Sequence, residues 1–122
     1  MGSRHLAVGV AGEDAAAEFY TRNGYRIVAR NVRYSCGELD LLAVGTDGEL
    51  VVVEVKTRST MAYGGAEAVT PAKLTRMRKA AAMWLLNSTD FYTAVRFDVL
   101  VVLRTPIGTR FEHYAGVDHG VR

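Results

Sequence analysis

Three residues break otherwise apolar, strand-like runs: Asp40 in Glu38-Leu39-Asp40-Leu41-Leu42-Ala43-Val44, and Glu54 and Lys56 in Leu50-Val51-Val52-Val53-Glu54-Val55-Lys56-Thr57-Arg58. An acid inside a valine run is costly unless something pairs with it. Two carboxylates and an ammonium can serve a hard divalent cation and an attacking water. Magnesium is held by one or two carboxylates plus water and substrate phosphate, and a lysine can orient the water or balance charge growing on phosphorus. Strand alternation puts Leu50, Val52, Glu54, Lys56 and Arg58 on one face. In the earlier strand it puts Leu39, Leu41 and Ala43 on one face, and Glu38, Asp40, Leu42 and Val44 on the other.

Whether the two acids meet depends on register. With Thr46-Asp47-Gly48 as a three-residue hairpin loop and Gly48 in the left-handed position, Gly45 faces Glu49 and Asp40 faces Glu54. Directly opposed side chains have β-carbons about 4.5–5.5 Å apart, where like charges repel; a cation held between them turns that cost into a binding site. If Asp47-Gly48 alone formed a two-residue turn, Asp40 would face Val55 and the pair would separate.

The elements that position these residues alternate in type. A helix runs from about Val8 to Asn23, where Asn23-Gly24 is a stop signal. Stepping about 100° per residue, Ala16, Ala17 and Tyr20 cluster around Glu13, while Asp14, Glu18, Thr21 and Arg22 lie opposite. Glu13 is therefore either a third carboxylate at the site or an acid at the helix margin that reaches an arginine on the sheet edge. Strands follow over Tyr25–Arg33, Glu38–Val44 and Leu50–Arg58, then an irregular, mobile stretch from Ser59 to Val69. Thr70 as N-cap and Pro71 at the first helical position open a second helix that runs to about Asn87. Its apolar stripe is Leu74, Met77, Ala81, Trp84 and Leu85, and Lys73, Arg76 and Lys79 lie side by side on an adjacent face. A buried strand over Ala94–Leu103 and a short one over Thr109–Tyr114, joined at Pro106-Ile107-Gly108, complete the order αβββαβ(β). The class is α/β, helices packed on a mixed sheet.

The basic face of Lys73, Arg76 and Lys79, with Arg58 at the end of the third strand, is the candidate contact for a nucleic-acid backbone; the same residues also suit an ordinary solvated helix. Asp98 reads as an ion-pair partner rather than a ligand, and Glu38 as exposed. His5, His113 and His119 lack metal-binding spacing, and Cys36 has no base beside it.

Composition narrows the classes. At 122 residues, 49% hydrophobic and 23% charged, the chain suits one domain spanning 1–122. No signal peptide or membrane anchor is evident, and the single cysteine forms no internal disulfide and fits a reducing compartment. A cytoplasmic protein is expected. Fifteen Lys and Arg against 13 Asp and Glu leave a net charge of +2, so the placement of charge matters more than its sum.

The segments Gly12-Glu13 followed by Ala16 or Ala17, Asn31-Val32-Arg33, Gly37-Glu38-Leu39-Asp40-Leu41-Leu42, Val52-Val53-Glu54-Val55-Lys56-Thr57-Arg58, Lys73 and Arg96-Phe97-Asp98-Val99 span nearly the whole chain in order. In these the sequence resembles the YraN-like family of bacterial proteins, grouped with Holliday junction resolvases and other PD-(D/E)XK nucleases. The resemblance implies a restriction-endonuclease-like core and a magnesium-dependent DNA nuclease, with manganese as a substitute. It implies that Asp40, Glu54 and the main-chain carbonyl of Val55 hold the metal, Lys56 positions the water and Glu13 assists. The second helix lacks the glutamine that some resolvases carry near the site; Lys73 either replaces it or only touches backbone phosphate. Branched or single-stranded DNA is the implied partner. A homodimer through the Ser59–Val69 stretch or the last strand is the implied assembly.

Two other readings compete. A non-catalytic nucleic-acid-binding module could retain the scaffold, but three inward carboxylates that repel phosphate serve no binding surface. A structural ion-pair network of Asp40, Glu54 and Lys56 would respond to neither magnesium nor chelator.

Overall fold

The computed structural model describes residues 2–59 and 69–120, with side chains described over 11–59 and 69–118. The expected mobile stretch between Ser59 and Val69 falls mostly on residues 60–68, outside the described residues. The elements in order are α1 (Gly2–Arg22), β1 (Arg26–Tyr34), β2 (Gly37–Val44), β3 (Glu49–Arg58), α2 (Pro71–Leu86), β4 (Ala94–Thr105), β5 (Gly108–Tyr114) and α3 (Val117–Gly120). The first helix starts earlier than its apolar periodicity indicates, and α3 is an element that the sequence pattern did not mark.

The strands form one sheet in the order β1-β2-β3-β4-β5, with β3 and β4 parallel and the other neighbours antiparallel. This mixed sheet separates two cores. On one side Ala16 and Tyr20 of α1 pack on Leu41, Ala43, Val51, Val53, Leu100 and Val102. On the other, Leu74, Met77, Ala80 and Ala81 of α2 pack on Leu39, Leu42, Leu50, Val52, Phe97, Val99 and Val101. The alternating Leu-Val pattern of β3 and β4 feeds both cores, as expected of strands covered on both faces. Thr70 caps α2 by accepting a hydrogen bond from the Lys73 N–H at 3.1 Å, and Pro71 occupies the first turn.

The hairpin register follows the three-residue loop. Gly45 N–H donates to the Glu49 carbonyl, Gly48 has φ of 85°, and the ladder runs through Val44–Leu50, Ala43–Val51, Leu42–Val52 and Leu41–Val53. Strict alternation in β2, however, does not hold. Leu39 joins the α2-side core with Leu42, whereas Leu41 joins the α1-side core. The neighbouring strand β1 is irregular too. Asn31, between the pairs Val32–Leu39 and Arg30–Leu41, has φ of 53°, a left-handed conformation that Asn tolerates better than most residues. The ladder keeps one register across that residue, and its bulge lies between Ile27 and Ala29.

Asp98, fully buried on β4, anchors α1 to the sheet. It accepts hydrogen bonds from Tyr20 Oη at 2.8 Å, from Arg96 Nε and Nη2 at 2.9 Å each, and from the Gly116 N–H at 3.0 Å; His113 Nε2 lies 2.8 Å away. Burial would raise its pKa, but these donors together hold the carboxyl well below the usual range. A depressed carboxylate contributes stability above the unfolded value near 4 and loses it as the pH falls below that value. Tyr20→Phe is expected to lower stability by about 1.5–3 kcal/mol at pH 7, the typical worth of a hydrogen bond to a charged group. Urea unfolding at pH 7 checks this, and a titration down to pH 3 should show wild-type stability declining below about pH 4.

Candidate active site at the parting of β2 and β3

The paired part of the β2–β3 ladder ends at Leu41–Val53, and one further step in that register sets Asp40 opposite Glu54. Here the strands part and side chains take over from the backbone. Asp40 Oδ2 accepts a hydrogen bond from the Val55 N–H at 2.9 Å. In an extended strand the N–H and C=O of one residue point to the same edge. The Val55 carbonyl therefore faces the β2 side, where the Asp40 carboxylate lies.

Glu54 is 5% exposed in the middle of the valine run. Its Oε2 is met by two ammonium groups, Lys56 Nζ at 3.1 Å and Lys73 Nζ at 2.5 Å. Burial works against the charge on Lys73, but the hydrogen bond and charge of Glu54 outweigh it and raise its pKa, so it remains protonated. Lys73 thus carries α2 onto the site. Asp40 is less fully compensated. Burial, then the charges of Glu54 and Glu13, push its pKa up to about 6, against the Val55 hydrogen bond and the charge of Lys73.

Glu13 reaches the site by its charge on Asp40. The acid of α1 that meets an arginine at the sheet edge is its neighbour Asp14, 2.7 Å from Arg30. Gly12 explains how the helix comes so close: a methyl group there would overlap the Thr57 hydroxyl of β3. The glycine lets the α1 backbone lie on the strand and delivers Glu13 to the end where Asp40 and Glu54 converge.

The structure therefore brings Asp40, Glu54, Val55, Lys56 and Lys73 together, with Glu13 near enough for its charge to act on Asp40. Arg58 lies half-buried at the end of β3, with Nη1 on the Thr57 carbonyl at 3.0 Å. Arg76 and Lys79 are exposed on α2; Arg76 borders a cavity that it shares with Lys73, and Lys79 does not line it. Sequence reasoning missed two features. The two lysines converging on one Glu54 oxygen needed the packing of α2 on the sheet. The left-handed conformation at Asn31 was signalled only by an asparagine inside a strand of β-formers.

Among the described residues, no group of three or more His, Cys, Asp and Glu side chains is placed to hold a metal ion by itself. The donors present nevertheless fit magnesium. Two carboxylates and a main-chain carbonyl are hard oxygen ligands, and this ion leaves its remaining positions to water and phosphate.

Fold and site together define a class: an α/β protein with a mixed five-stranded sheet in which two acids stand where the central ladder ends, one of them, Glu54, paired with lysines from a strand and a helix. The chain belongs to the UPF0102, or YraN-like, family; the model described as "Uncharacterised protein family UPF0102" matches residues 12–102 and so takes in every residue of the cluster. The UPF0102 protein of Corynebacterium efficiens is 50% identical over the full length of both chains. That of Symbiobacterium thermophilum is 51% identical over 83% of this chain and 86% of its own. That of Beutenbergia cavernae is 49% identical over 91% and 95% respectively. No helix among the described residues is long and apolar enough to cross a membrane.

Proposed function

We propose that this protein is a metal-dependent endonuclease with a restriction-endonuclease-like core, hydrolysing DNA phosphodiester bonds, branched or junction DNA included. The observation that carries the reading is that the β2–β3 ladder ends at Leu41–Val53, one step before Asp40 and Glu54, with Asp40 on the Val55 N–H and Lys56 on Glu54. Burial and the like charges of Glu54 and Glu13 raise the Asp40 pKa to about 6, a perturbation of the kind that functional sites carry. Asp40, Glu54 and the Val55 carbonyl would hold magnesium or manganese, with Glu13 assisting. The bound ion would supply Lewis-acid stabilisation of the phosphoryl oxygens and lower the pKa of a water. Lys56 would hold that water or the phosphate oxygen in line, and Lys73 and Arg76 would hold the backbone beside it.

The pairing of Glu54 with two lysines favours one competing reading, a structural ion-pair network with no need of metal. Cleavage of labelled branched, single-stranded and duplex DNA in magnesium or manganese separates the two. Metal-dependent cutting lost in both Glu54→Ala and Lys56→Ala is the expected result. Binding without cutting, insensitive to either substitution, would point to a binding module on the same scaffold. Indifference to both metal and DNA would leave the ion-pair network.

A further inference from the structure

A cavity of about 380 Å³ opens beside the candidate active site, between the β1–β2 turn and α2. Its lining divides by chemistry. Tyr34, Cys36 and Met77 are apolar and continuous with the α2-side core, Met77 buried and the other two half-buried. Lys73 and Arg76 supply two cations, and the exposed Glu38 supplies a carboxylate acceptor at the rim. Gly37 brings the two walls together: a methyl group there would stand 2.9 Å from the Arg76 carbonyl oxygen, so only glycine lets the turn lie this close to α2.

Lys73 belongs to both places. It lines the cavity, and its ammonium lies on Glu54 in the candidate active site. A phosphate drawn to Lys73 therefore has the paired acids on one side and, on the other, a cavity lined by an aromatic side chain. An aromatic and apolar lining beside cations, with a carboxylate acceptor among the lining residues, is what a nucleobase with its phosphate requires. Stacking on an aromatic ring tolerates any base, while the exocyclic amines of adenine, cytosine and guanine can donate to a carboxylate. A base within a duplex is stacked and paired and cannot enter such a cavity.

We propose that the cleft formed by Tyr34, Cys36, Met77 and Arg76 seats one unpaired nucleobase whose phosphate lies on Lys73, so that the substrate is DNA with a single-stranded or frayed nucleotide at the cut. The proposal rests on the nuclease reading for what happens to the phosphate, but not for the seating of the base. It makes Tyr34 a specificity-determining residue.

Cys36 is the protein's single cysteine and lines the cleft, so the unmodified chain carries its own reporter. Alkylation of Cys36 by iodoacetamide would be timed in calcium, with saturating single-stranded oligonucleotide, with the same oligonucleotide made abasic, and with blunt duplex. The single strand should slow alkylation about tenfold or more, and the abasic strand and the duplex should do so far less. In parallel, Tyr34→Ala should weaken single-strand binding by about tenfold and leave abasic-strand binding unchanged, with Tyr34→Phe restoring it. Equal protection by base-bearing and abasic strands, or no protection at all, overturns the proposal. So does an equal loss of both affinities in Tyr34→Ala. Cleavage in magnesium is scored separately. Cutting of blunt duplex without Cys36 protection would sink the base-seating proposal and keep the nuclease; protection without cutting would do the reverse.

Discussion

Asp40→Asn is expected to raise the stability of the metal-free protein and to abolish its stabilisation by magnesium. The substitution is nearly isosteric, and the Asn oxygen can still accept the Val55 N–H that Asp40 Oδ2 accepts at 2.9 Å. What disappears is a negative charge placed in a half-buried site near those of Glu54 and Glu13, which lifts the Asp40 pKa to about 6. The new amide can donate to those same acids. A tenfold change in an acid's dissociation constant corresponds to about 1.4 kcal/mol, so the gain at pH 7 to 8 should be about 1–3 kcal/mol, several degrees in Tm for a chain of this size. The sign with pH follows. Ionised Asp40 is penalised in the folded state, and the penalty is fully present above pH 6. It shrinks as the folded protein takes up a proton between pH 6 and the unfolded value near 4. The advantage of the variant should shrink over the same interval. Calorimetry with and without 10 mM-scale magnesium, about the concentration used to saturate weak magnesium sites, reads both halves. A variant less stable than wild type without metal would show that Asp40 is a structural acid.

Much of this site could be read from the sequence because its parts violate a strong pattern. Asp40 and Glu54 stand where the Leu-Val alternation calls for core residues, and the Thr46-Asp47-Gly48 loop sets the register that opposes them. Loop length and a glycine at positive φ are local chemistry, so they survive into the fold. Lys56 comes with Glu54 by period two. Glu13 was placed by helical period, although its approach also depends on Gly12 against Thr57, a contact between elements that no local pattern records.

The remainder depended on tertiary packing. Lys73 is one of several cations on α2, and only the docking of that helix selects it for Glu54 while leaving Arg76 and Lys79 in solvent. The face changes at Asp40, with Leu39 in the α2-side core and Leu41 in the α1-side core, whereas a period-two reading of β2 alone assigns both to one face. The cluster around Asp98 draws on α1, β4, β5 and the turn before α3. From the strand itself only a buried acid in need of donors is visible; their identities come from elements far away in sequence.

Lys56 and Lys73 share one oxygen of Glu54, yet their removal should have different consequences. Lys56 extends from the strand that carries the ligands, two residues beyond Glu54, and its ammonium is the cation best placed for charge that develops in the transition state. Lys56→Ala should therefore lower kcat by about 10²–10³-fold with little change in KM, as when a preorganised donor to developing charge is removed. Lys73 comes from α2 and faces the flanking cavity, where substrate backbone would lie before and after the chemical step. Lys73→Ala should act mainly on DNA affinity and reduce the salt dependence of binding by about one phosphate contact. In both variants the metal-free Glu54 loses a cation that now competes for its carboxylate, so magnesium binding without DNA should tighten, by about fivefold if each ammonium contributes roughly 1 kcal/mol. Single-turnover kinetics, a salt series for binding in calcium and calorimetric titration with magnesium would measure the three effects. If the losses were reversed between the two lysines, the helix rather than the strand would carry the transition-state contact. Unchanged magnesium affinity in both would mean that the ion pairs at Glu54 and the metal do not compete for the same oxygen.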